Sequence, residues 1–118
     1  MITLKETREK IANDKRWWCI HLMNFVDDFR RHRDVRAIED PFDFWDDHKM
    51  DALLASTAEC LCDEFQLTTP AWLRSVPDCK EPWFVSRFER LKAISIVESP
   101  LRFRMRKIFV CENFLSRV

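Results

Sequence analysis

The chain of 118 residues contains no glycine. At the usual glycine share of about 7%, a chain this long would lack it by chance roughly twice in ten thousand. Glycine supplies positive φ and close backbone approach at little steric cost. Its absence makes the tight type I′ and II′ hairpin turns hard to build. It also removes the phosphate-cradling GxxxxGK[ST] and GxGxxG loops outright. Net charge is absent too, with 20 basic residues against 20 acidic ones. Such a chain exerts no long-range attraction on nucleic acid or an anionic membrane. No apolar run approaches the 18 residues of a membrane span, and no basic-then-apolar leader opens the chain. The five cysteines, Cys19, Cys60, Cys62, Cys79 and Cys111, are odd in number and irregular in spacing, which is not a disulfide framework. These exclusions point to a soluble, cytoplasmic, thiol-reduced protein.

Apolar and aromatic mass is plentiful. Hydrophobic residues make up 47%, with 10 Phe and 5 Trp, which argues for a packed core rather than disorder. The length suits one domain covering residues 1–118. Thr3 and Glu6 form a capping-box pattern. Behind it Ile11, Trp18, Leu22, Phe25 and Phe29 recur at helical spacing, widened by Trp17, Met23 and Val26. The pattern predicts one long helix from about residue 4 to 31, with Arg30, Arg31 and Arg33 at the negative end of its dipole. Asp34 caps a short turn through Ile38, which Asp40-Pro41 ends. Phe42, Phe44 and Trp45 pin the link that follows.

A second helix is expected over about 47–65, buried through Met50, Leu53, Leu54, Thr57, Leu61 and Phe65, with Ala52, Ala55 and Ala58 supporting propensity. Pro70 opens a short helix containing Trp72 and Leu73. Residues 75–85, with Pro77 and Pro82, read as a connector. Ser86 and Glu89 form a second capping box for a fourth helix facing inward through Leu91, Ile94 and Val97. Ser99-Pro100 starts a fifth, followed by the apolar run Ile108-Phe109-Val110, for which no sheet is needed, and a last turn near 112–116. The fold class is therefore all-α: a single compact domain of four to six helices, the long N-terminal helix packing on helices two and four.

Chemistry is harder to find. Cys60 and Cys62 lie two apart on a helix and point about 200° apart, and neither CxxC nor HxxxH occurs, so no metal is expected. Cys19 and His21 lie on different sides of a helix, which does not favour a catalytic thiol. Asp27-Asp28 and Asp46-Asp47 beside His48 would suit a cation or acid–base work, but Asp46 and Asp47 more simply begin a helix. The reading is of a chain with no catalytic residues and no cofactor.

Two binding surfaces compete. Fifteen large aromatics exceed what a small helical core needs, so Trp17, Trp45 and Phe84 are candidate anchors for a partner protein. Arg102, Arg104 and Arg106, extended by Arg87 and Arg90, offer the alternative of a phosphate-gripping C-terminal helix in a nucleic-acid-binding regulator. On such a helix Arg102 and Arg106 share a face while Arg104 points elsewhere. The same arginines equally suit solvation, or pairing with the acidic segment from Glu39 to Asp51. A homo-oligomer is also compatible with the sequence.

Five pieces of the second half stand in a recognisable order: Asp51-Ala-Leu-Leu-Ala55, Pro70-Ala-Trp72, Glu81-Pro-Trp-Phe-Val85, Glu98-Ser-Pro100 and Phe103-Arg-Met-Arg-Lys-Ile-Phe-Val110. In this order they resemble a family of small, uncharacterised bacterial helical proteins, over residues 51–118 alone. Lys107 stands where that pattern has Asn, and the cysteines are particular to this chain. The resemblance implies a bacterial protein paired with a cognate toxin or a nucleotidyltransferase-like protein, as in toxin–antitoxin systems. It implies an antitoxin-like or regulatory role by protein binding, and it carries over no catalytic residue. The expectation is a non-enzymatic interaction module that covers a partner's active surface.

Overall fold

The first helix, α1, runs Leu4–Asn13 and begins where Thr3 Oγ1 accepts the Glu6 N–H at 3.1 Å. The structure, a computed structural model, describes residues 1–43, 48–85, 89–111 and 114–116, without the side chains of residues 89 and 90. The single long N-terminal helix expected from periodicity is two helices. α1 stops at Asp14, whose backbone leaves the helical region at φ −149° and ψ 65°; a 3₁₀ turn, Lys15–Trp17, leads into α2, Trp18–His32. Asn13 and Asp14 are poor helix formers whose side chains compete for backbone hydrogen bonds. The chain then doubles back: the Ile2 N–H donates to Asp28 Oδ2 at 2.6 Å, tying the start of α1 to the far half of α2. The reversal lets Leu4 and Ile11 of α1 and Leu22, Phe25, Val26 and Phe29 of α2 share one core.

The 3₁₀ turn Val35–Ile38 follows, capped as expected by Asp34, whose carboxylate accepts the Arg36 N–H at 3.0 Å. α3, His48–Glu64, is the central helix, and every residue from Met50 to Glu59 is buried. α1, α2 and α5 all pack on it. Ala52, Ala55 and Ala58 are wholly buried, so these small side chains admit neighbours on several sides as well as favouring the helix. Arg8 of α1 is buried against the same helix, its Nε donating to Asp51 Oδ1 at 2.6 Å. A 3₁₀ segment, Ala71–Ser75, sets Trp72 edge-on to Phe42 with ring centroids 5.2 Å apart.

β1 is Trp83–Phe84 and β2 is Ile108–Phe109; they pair in parallel, Trp83 opposite Ile108 and Phe84 opposite Phe109. The fold is thus mostly helical, with a small sheet where none was expected. A parallel pair needs a crossover of a dozen residues or more. Here α4, Glu89–Glu98, and α5, Leu101–Arg104, supply it.

α4 also corrects its expected orientation. Ile94 and Val97 face solvent, and Ser95 and Ser99 face the protein. The reason is the sheet edge: Ser99 Oγ accepts the Val110 N–H at 2.8 Å and reaches the Val110 carbonyl at 3.0 Å. Buried backbone groups must be paired, and an apolar side chain at 99 would orphan both. Ser86, Phe44, Asp46, Asp47 and Glu112 lie outside the described residues.

Candidate interaction surface

α5 is short, but its C-terminal turn continues through Met105, whose N–H donates to the Leu101 carbonyl at 2.9 Å. Residues four apart therefore stack in two rows. Arg102 and Arg106 form the inner row and meet Glu59 and Asp63, also four apart, on α3. Arg102 grips Asp63 through two nitrogens, Nε at 2.8 Å and Nη2 at 3.0 Å, and reaches Glu59 at 3.4 Å. That grip raises the already basic Arg102 further. Arg106 is 8% exposed. It pairs with Glu59 and donates to the Leu73 carbonyl at 2.8 Å. Leu101 and Met105 form the outer row, 62% and 61% exposed.

Between α5 and residues 74–78 lies an open cleft of about 420 Å³. The Glu59–Arg106 pair lies on one side, Arg102 and Met105 line the α5 wall, and Arg74, Val76, Pro77 and Asp78 line the other. Along α4, Ile94, Ile96 and Val97 are exposed, Val97 by 79%.

Trp17 is exposed at the α1–α2 turn, with the Arg16 guanidinium 5.2 Å from its ring. Phe84 is half-buried, stacked on Phe109 at 5.0 Å with Lys92 Nζ 5.6 Å from its ring. Trp45 lies outside the described residues. Of the five arginines offered for nucleic acid, Arg87 lies outside the described residues, as does the side chain of Arg90. Arg104 is exposed. Arg102 and Arg106 do share a face, as their spacing implies, but that face is turned onto the acids of α3. Of the alternatives open to these arginines, pairing within the fold holds for Arg102 and Arg106, with Glu59 and Asp63 rather than the segment from Glu39 to Asp51 as the acids. The available signal was the matched spacing of four in both rows.

All five thiols are free. Burial raises the Cys19, Cys60 and Cys79 thiols, and pushes Cys62 up to about 11, so these four are poor nucleophiles at neutral pH. His21 leans on Asp14 at 3.4 Å. Among the described residues no cluster of His, Cys, Asp and Glu is arranged to hold a metal ion, and no helix is long and apolar enough to cross a membrane.

Compared with known proteins, the chain matches no family model, no curated protein and no solved structure.

Proposed function

We propose that the chain is a non-enzymatic protein-interaction module that binds another protein through the outward surface of α4 and α5. One observation carries this reading: α4 is inverted, with serines inward and Ile94, Ile96 and Val97 outward, beside the exposed Leu101 and Met105 of α5. Burying a large aliphatic side chain contributes about 1.5–3 kcal/mol, so leaving several in water is costly unless a partner covers them. The mechanism is occlusion, an apolar surface with Arg104 near it covering the partner's active surface. On the resemblance noted above, that partner is a cognate toxin or a nucleotidyltransferase-like protein.

The experiment is affinity capture from the native host in mild salt, with a photo-cross-linker at Val97. A stoichiometric protein cross-linked at Val97 and lost with Val97→Glu is the expected result. No such protein, or one retained by Val97→Glu, would overturn the proposal.

A further inference from the structure

Around the cleft beside α5, four basic side chains meet three carboxylates. Arg106 holds Glu59, Arg102 holds Asp63, and Lys107 Nζ lies 3.5 Å from Asp78. The fourth cation, Arg74, is exposed on the wall across from Met105 and has no carboxylate partner among the described residues. Among the described residues, the cleft therefore carries one uncompensated positive charge.

We propose that this cleft receives one acidic side chain of the partner polypeptide, its carboxylate on Arg74 and the apolar residues beside it on Met105 and Leu101. The inference rests on the protein-interaction reading and names the chemistry of one contact within it. A single carboxylate balances the single free charge, whereas a dianionic phosphate would overshoot it. Guanidinium and carboxylate match in planar, two-bonded geometry. Met105 in the cleft wall, with the exposed Leu101 one turn before it, favours a ligand with an apolar flank, as an acidic residue between leucines has, over a bare ion. The other basic groups stay with their own carboxylates, so the guest need not break the Arg106–Glu59 pair.

The test uses the full chain and two capped peptides, acetyl-Leu-Glu-Leu-amide and acetyl-Leu-Gln-Leu-amide, followed by NMR at the Arg74 side-chain N–H and the Met105 methyl. The Glu peptide is expected to shift both signals saturably, and the Gln peptide to bind roughly tenfold more weakly, since a hydrogen bond to a charged group contributes about 1.5–3 kcal/mol. Arg74→Gln, at an exposed position, should bring the two peptides level without unfolding the protein. Acetate and inorganic phosphate should leave the Met105 methyl in place. Equal binding of both peptides, no shift by about 10 mM, a preference that survives Arg74→Gln, or phosphate competing better than the Glu peptide would each overturn the proposal. Val97→Glu lies on α4 outside the cleft and should leave peptide binding unchanged. A failed titration beside Val97-dependent capture therefore removes this contact alone. Peptide binding without that capture removes the wider reading alone.

Discussion

Glu59 is the residue on which the polar interior near α5 turns, because it is buried and shared by two guanidiniums. Breaking a buried pair from one side leaves an uncompensated charge, which costs about 3–5 kcal/mol. Glu59→Gln should therefore lower stability in urea unfolding by that order. Asp63→Asn, at an exposed position on the same helix, should cost under about 1 kcal/mol. Equal effects would mean that Glu59 is not the buried partner described. Lack of glycine also acts at this scale. Arg33, Gln66 and Lys107 adopt positive φ of 52°, 56° and 61°. For a residue with a Cβ the left-handed region costs about 1–2 kcal/mol, part of which a glycine returns through its floppier unfolded chain. Gln66→Gly should stabilise the protein by roughly 0.5–1 kcal/mol and raise Tm by a few degrees. A lower Tm would show that Gln66 is relieved by contacts of its own.

At the scale of elements, α4 is held by hydroxyls. Ser99→Ala should leave the Val110 N–H and carbonyl without their side-chain partner and cost about 1–3 kcal/mol in thermal or urea unfolding. Val97→Ala on the opposite side of the helix should stay within about 0.5 kcal/mol, the range for exposed positions. If Val97→Ala proved the more damaging, α4 would be oriented the other way. Periodicity placed this helix well but read its face wrongly, since Leu91, Ile94 and Val97 form a regular apolar stripe. The overriding demand was the hydrogen bonding of Val110, just past β2, which no apolar count reports. The same blindness joined α1 to α2: the seven-residue step from Ile11 to Trp18 keeps helical phase through a break that Asn13 and Asp14 produce. Helix α3 and the Asp34-capped turn were legible because their signals are local, a run of strong formers and a capping side chain.

Across the whole molecule, the described residues have a radius of gyration of 13.3 Å, close to the ~13.5 Å of a compact body of this length. Net neutrality is built into that packing. The buried arginines, Arg8 and Arg106, each meet a carboxylate on α3, so charge that forms blocks along the sequence is consumed between helices. The candidate site was only partly legible for this reason. Arg102 and Arg106 were visible as a basic run, but Glu59 and Asp63 lie some forty residues upstream, and only packing brings them together. Arg74 differs from Arg102, Arg106 and Lys107 around the same cleft, each of which meets an acid. By itself, the sequence determined a helix-rich chain with a substantial core, because backbone propensity, capping and apolar spacing act over a few residues. Only the tertiary structure decided where the first helix turns back, which side of α4 meets water, and which carboxylates Arg102 and Arg106 meet, because burial and pairing depend on residues distant along the chain.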